Sequence, residues 1–146
     1  MEARQLAEES LNPNQALGYQ FGIVLCMVTR AYICLAQGAY EEAHAFSSEG
    51  LAISRNILGD PQGTAASLTV LSTVANRLGL YAEAKQWAEE GIQISKTIND
   101  LWGLGILVRQ LGLIHLDLGA TMQAQALIRQ SVSQFREIGD RTGIRA

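Results

Sequence analysis

The sequence predicts an all-α protein, a solenoid of antiparallel helix pairs. Three observations carry that prediction. Gly22, Gly63, Gly103 and Gly143 recur at intervals of 41, 40 and 40 residues. Gly38, Gly79 and Gly119, each followed five residues on by Ala43, Ala84 or Ala124, keep the same step. Asp60, Asp100 and Asp140 close successive units at intervals of 40 and 40. A period of this length marks a supersecondary unit that cannot bury its apolar face alone and must stack on its neighbours. With two prolines, 6% aromatic residues and 48% apolar residues, the composition favours helix over sheet and order over disorder.

Each unit reads as two helices. Asp60-Pro61 is a helix start, because the carboxylate can accept from orphan amides and proline loses no hydrogen bond at the first helical position. Asp100 and Asp140 fall at the same place. Leu68, Leu71, Ser72, Ala75 and Leu78 then line one face, and Gly79 ends the helix where a left-handed residue is wanted. The second helix is predicted from about Tyr81 to Thr97, with Ala84, Ala88, Gly91, Ile92 and Ser95 on one stripe. Glu83, Lys85, Glu89, Glu90, Gln93 and Lys96 form its solvent side.

Gly50 and Gly91, with Ser131 in register, stand inside second helices, where glycine costs about 1 kcal/mol relative to alanine. Close approach of a neighbouring helix is the reason to expect. The first full unit has one residue more than the others, placed between Gly50 and Asp60. At the N-terminus, Glu2 to Leu11 matches a second helix without its first, and Asn12-Pro13 predicts that the next helix starts early, near residue 13 or 14. Asp140 to Ile144 begins a further first helix. The expected organisation is therefore a single domain, 1–146, with a partial repeat at 1–18, repeats at 19–60, 61–100 and 101–140, and a stub at 141–146. Such a chain reads as a piece of a longer array.

Helix pairs with Gly-x-Tyr-x-x-Ala at the turn resemble tetratricopeptide repeats. Leu71-Ser72, Gly79, Tyr81 and Ala84 carry the likeness in the second unit, and Leu111-Gly112, Gly119 and Ala124 in the third. In the first unit, Arg30-Ala31 replaces the usual Leu-Gly. The longer unit and its Gly-Asp-x-x-Gly junction are similar to two groups: adaptor arrays that orient mitotic spindles, and C-terminal arrays of bacterial signal-transduction ATPases. The resemblance implies a non-catalytic scaffold that binds a protein or peptide. Its alternative is the effector-sensing or self-association arm of a larger regulator.

The resemblance also implies that first helices line a concave groove. By register this selects Leu25, Val28, Tyr32, Leu35 and Ala36 from the first unit. It adds Ala66, Thr69, Thr73, Asn76 and Arg77 from the second, then Ile106, Arg109, Leu113, Leu116 and Asp117 from the third. Tyr32, Thr69, Thr73, Asn76, Arg77, Arg109, Leu113 and Asp117 are the candidate partner-binding residues. Asn side chains can pair with an extended backbone and Arg forks suit carboxylates. The alternative is that Arg77, Arg109 and Asp117 are merely solvated. Leu101 to Leu118 is apolar nearly all round, so either the superhelix curls over it or a partner covers it.

Other function classes find little support. A net charge of −3 and a pI near 5.3 offer no basic face for nucleic acid. The longest apolar run, around Phe21 to Val28, is read as too short to span a membrane. Glu2, Arg4, Glu8 and Glu9 follow Met1 without a signal peptide, which makes a cytoplasmic location the default expectation. Cys26 and Cys34, about 12 Å apart on one helix, cannot pair with each other and read as apolar fillers. His115 is expected in the core, and Trp87 and Trp102 are expected to pack. His44 and His115 lack catalytic or metal-binding companions, and no phosphate loop or catalytic constellation is present, so neither enzyme activity nor a cofactor is expected. The orphan helix near Leu6 and the stub at Ile144 predict uncovered apolar ends, and with them homodimer formation.

Overall fold

The computed structural model describes residues 13–142, with side chains between 18 and 139. Six α-helices occupy that span: α1 Pro13–Ala36, α2 Tyr40–Ala52, α3 Pro61–Arg77, α4 Tyr81–Thr97, α5 Leu101–Asp117 and α6 Thr121–Thr142. A π-helical stretch, Ile53–Leu58, prolongs α2. The pairs α1/α2, α3/α4 and α5/α6 are hairpins, and each second helix packs on the next first helix.

The turns are made as the repeat requires. Gly38, Gly79 and Gly119 have φ of 78°, 80° and 82°. After each, an amide reaches back five residues to close the helix: Ala39 to the Cys34 carbonyl, Leu80 to Ala75 and Ala120 to His115, each at 2.8 Å. Between units the left-handed residue is Gly59 in one case and Asn99, φ 56°, in the other. Asp60 then accepts from the Gln62 amide at 3.1 Å, and Asp100 from the Gly103 amide at 3.0 Å. These carboxylates explain the glycine three residues on. A Cβ at Gly63 would lie 2.6 Å from Asp60 Oδ2, and one at Gly103 would collide with Asp100.

Small residues set the stacking distance. A Cβ at Gly50 would meet Ser67 Oγ at 3.2 Å, and one at Gly91 would meet Leu107 Cδ1 at 3.0 Å. Ser67 and Leu107 occupy the same register position, so one contact recurs at both junctions. Ser131, the third member of the series, donates instead to the Gly105 carbonyl at 2.8 Å within the last hairpin. The core is two linked clusters. Val24, Val28, Ala31, Cys34, Ala43, Ile53, Val70 and Val74 form the first, and α4 and α5 form most of the second around Leu107, Leu111 and Ile114.

Several expectations need correction. Cys34 is buried but Cys26 is exposed. Leu78 is 41% exposed because it caps α3 beyond its last buried turn. Trp102 is 59% exposed and only leans edge-on against Phe135 at 5.0 Å, whereas Trp87 packs against the second core cluster. His115 is half-buried in the last turn of α5, beside the fully buried Ile114. Asp140 caps no helix: α6 runs through Gly139 and Asp140 to Thr142. A left-handed turn there needs a following helix packed back to hold it, and none follows among the described residues. The segment Glu2 to Leu11 and the stub residues Gly143 and Ile144 lie outside the described residues. Helix α1 does begin early, at Pro13.

The reading of apolar runs also changes. Gly18–Ala36 is 19 residues long with mean hydropathy 1.5, enough by length and composition to cross a membrane. Gln20, Thr29 and Arg30 interrupt it without lowering that mean below the spanning range. In the fold, its Val24, Val28, Ala31 and Cys34 face the neighbouring helices.

Candidate binding groove

Curvature follows from which helices touch. Successive first helices, α1 with α3 and α3 with α5, pack directly, while successive second helices make no direct backbone approach among the described residues. Long side chains bridge the wider outer side, as Arg55 pairs with Glu90. First helices are therefore closer together and line the inner face.

Along that face the sequence-predicted residues fall into three groups. Tyr32, Thr69, Ala66 and Ile106 converge from α1, α3 and α5 on a cleft of about 160 Å³. Gln62 and Gly103 close its end near the helix N-termini. Gln62 was not predicted, although it precedes Ala66 by one helical turn on the same stripe. Partial burial raises the Tyr32 phenol above its ordinary value of 10.0. The Thr69 and Thr73 hydroxyls bond back to the carbonyls of Ala65 and Thr69, at 2.8 and 2.9 Å, so neither offers its proton to a ligand.

Toward the helix C-termini, Asn76 Nδ2 donates to Asp117 Oδ2 at 2.8 Å, joining α3 to α5. Asn76 Oδ1 has no hydrogen-bond partner and points away from solvent. Arg77 and Arg109 are exposed and neither has an acidic partner among the described residues. Leu25 is 69% exposed, Tyr32 46%, Leu113 38% and Leu116 48%. Val28 departs from the register prediction: at 8% exposure it belongs to the core. The equivalent Thr69 is half-buried and Arg109 exposed, so this row turns outward progressively along the array.

No three His, Cys, Asp or Glu side chains converge on a metal position among the described residues. The arrangement offers apolar surface, two free guanidinium groups and one polar clasp.

A family model described as tetratricopeptide repeat matches residues 22–97, just over half of the chain. The chain belongs to the tetratricopeptide repeat family. It is 31% identical over 100 residues to the tetratricopeptide repeat protein 19 homolog, mitochondrial, of Drosophila melanogaster. That match takes in 66% of this chain and 27% of the relative, so the chain spans about a quarter of that protein's length. Among solved structures, the TPR domain of Arabidopsis FLU superposes with a TM-score of 0.73 at 18% identity, over 80% of this chain and 97% of that one. This likeness establishes the fold: a tetratricopeptide-repeat solenoid. Proteins of this repeat family serve generally as protein-interaction scaffolds, and this array has the helix order and inner face of one.

Proposed function

We propose that the array is a non-catalytic scaffold holding a protein or peptide segment along the inner face of α1, α3 and α5. The carrying observation is the row of uncovered apolar side chains, Leu25, Tyr32, Leu113 and Leu116, beside the unpaired Arg77 and Arg109. A row of exposed apolar side chains on one face is a binding feature, and the two cations select a segment that also carries a carboxylate. This reading gives α5 its missing cover: the partner, rather than the superhelix, lies over its apolar inner side. The Asn76–Asp117 clasp fixes the spacing of α3 and α5 beneath the partner.

The test is a peptide array probed with the wild-type chain, followed by titration of the selected peptides against variants. Arg109→Glu and Arg77→Ala are expected to weaken acid-bearing peptides at least tenfold, about 1.4 kcal/mol, with helical content unchanged. Leu113→Asp should abolish binding. Affinity unaltered by all three substitutions would place the partner elsewhere.

A further inference from the structure

Three first helices present the same face toward the preceding unit, and among the described residues only two of them are covered. On α3 that face is Ser67, Leu71 and Val74, which are 0%, 1% and 0% exposed beneath α2. On α5 it is Leu107, Leu111 and Ile114, at 0%, 7% and 0% beneath α4. On α1 the matching residues are Cys26, Arg30 and Ile33. Cys26 and Arg30 are exposed and Ile33 is 52% exposed. Beside them Arg30, Ile33, Cys34 and Phe46 form a notch of about 320 Å³.

The sequence holds a copy of the element that covers this face elsewhere. Residues 3–11 read Ala-Arg-Gln-Leu-Ala-Glu-Glu-Ser-Leu, and residues 84–92 of α4 read Ala-Lys-Gln-Trp-Ala-Glu-Glu-Gly-Ile; five of nine are identical and three of the other four are close substitutes. In α4, Gly91 is the residue that admits Leu107, and Ile92 and Glu89 share a cleft with Leu111 and Leu127. Transferred to α1, Ser10 faces Cys26, Leu11 fills the notch beside Phe46, and Glu8 meets Arg30. At this position α1 carries Arg30 where α5 carries Leu111 beside Glu89, so Glu8 meets a cation instead of a leucine.

The geometry of α1 decides where that segment comes from. Gly18 aligns with the left-handed Gly59 and Asn99, yet α1 passes through it as a straight helix. Tyr19 stands where Asp60 and Asp100 cap the other first helices, so no carboxylate helps a turn there. Pro13 lies about 20 Å along the axis from Cys26. A hairpin turning at Asn12 would leave Ser10 beside residue 15 or so, far short of Cys26. With α1 helical from Pro13 onward, a turn at Asn12 does not bring residues 3–11 of the same chain to this face.

We propose that the α1 face receives residues 3–11 of a second copy of this chain, exchanged reciprocally, so that each copy completes the other's first unit. This surface is separate from the inner groove, and the proposal stands without a groove partner. The experiment introduces Ser10→Cys opposite the native Cys26 and applies a mild oxidant. A non-reducing gel should show a band at twice the 15.8 kDa chain mass, absent when Cys26→Ser is added. Light scattering of the unmodified chain should give the same doubled mass. Ile33→Glu, a change at an exposed site, should return the mass to a single chain with helical content retained. A disulfide formed at single-chain mass, unreacted thiols, or a dimer indifferent to Ile33→Glu would each overturn the exchange.

Discussion

The Asp60 amide donates to the Ser54 carbonyl at 2.8 Å, six residues back. At the next junction the Asp100 amide reaches Ser95 at 2.9 Å, five residues back. Ser54 and Ser95 are register equivalents, as are the two aspartates, so the wider bond spans the one extra residue of the first unit. The chain accommodates it as a π-helical stretch, Ile53–Leu58, instead of a longer loop. An insertion inside a helix is taken up by i to i+5 bonding when both ends are already fixed by packing. Here Ile53 and Ser54 are buried and Gly59 holds the left-handed turn.

Removing the exposed Asn56 should therefore convert this end into the geometry seen at Ser95 to Asp100. The shortened chain is expected to keep its fold with a melting temperature equal to or above that of the parent. A drop of more than about 5 °C, roughly 1 kcal/mol for a domain of this size, would contradict the reading.

Gly91 is the contact on which the middle junction closes. Gly91→Leu would drive a side chain into Leu107 and Leu68, whose atoms already lie 3.0 to 3.6 Å from the position of a Cβ. Overpacking a fixed helix pair costs about 1–3 kcal/mol, and urea unfolding should lose stability in that range. The exposed Gln93→Leu on the same helix serves as the control and should change little.

The Ser67 hydroxyl is fully buried and has no hydrogen-bond partner, whereas Ser47 and Ser54 bond to carbonyls one turn back. Ser67→Ala removes an unsatisfied group without leaving a large void. A gain of about 1 kcal/mol in denaturant unfolding is expected. A loss of that size would mean that the hydroxyl contributes favourably in the folded chain.

Tyr32 supplies a pH dependence. Its phenol titrates above 10.0 in the folded chain because burial disfavours the anion. The unfolded chain therefore releases this proton first as pH rises, and the folded state binds more protons above pH 10. The stability linked to the neutral phenol is complete below pH 10 and is lost on going through the raised folded value. Tyr32→Phe should reduce the alkaline loss of stability, seen by comparing unfolding at pH 9 and 11. An unchanged slope would remove Tyr32 from that linkage.

Much of the fold was legible because local chemistry repeats with it. The buried residues of α4, Ala84, Ala88, Gly91, Ile92 and Ser95, are the stripe read from spacing, and the helix bounds coincide. Asp60, Pro61 and Gly79 announce their roles in the sequence because each role rests on the backbone conformation or hydrogen bonding of the residue itself. Val28, Leu78, His115 and Trp102 were misread because register gives direction but not depth. Whether an inward-pointing side chain is covered depends on how far the neighbouring helix extends and how the array twists.

The groove was legible only as a set of directions. Sequence brought Asn76 and Asp117 into one list, but their hydrogen bond depends on the offset between α3 and α5. It gave no sign that the Thr69 and Thr73 hydroxyls turn back to their own helix, nor that Gln62 closes the cleft. By itself the sequence determined the period, the helix pairs, the turn residues and the family, all consequences of local backbone preference repeated about every 40 residues. Tertiary structure alone decided three further features: the π-helical accommodation after Ser54, the straight passage of α1 through Gly18 and the exposed face at Cys26, Arg30 and Ile33. The reason is common to them. Each depends on whether another helix is packed alongside, and the residues supplying or withholding that helix are distant in the chain.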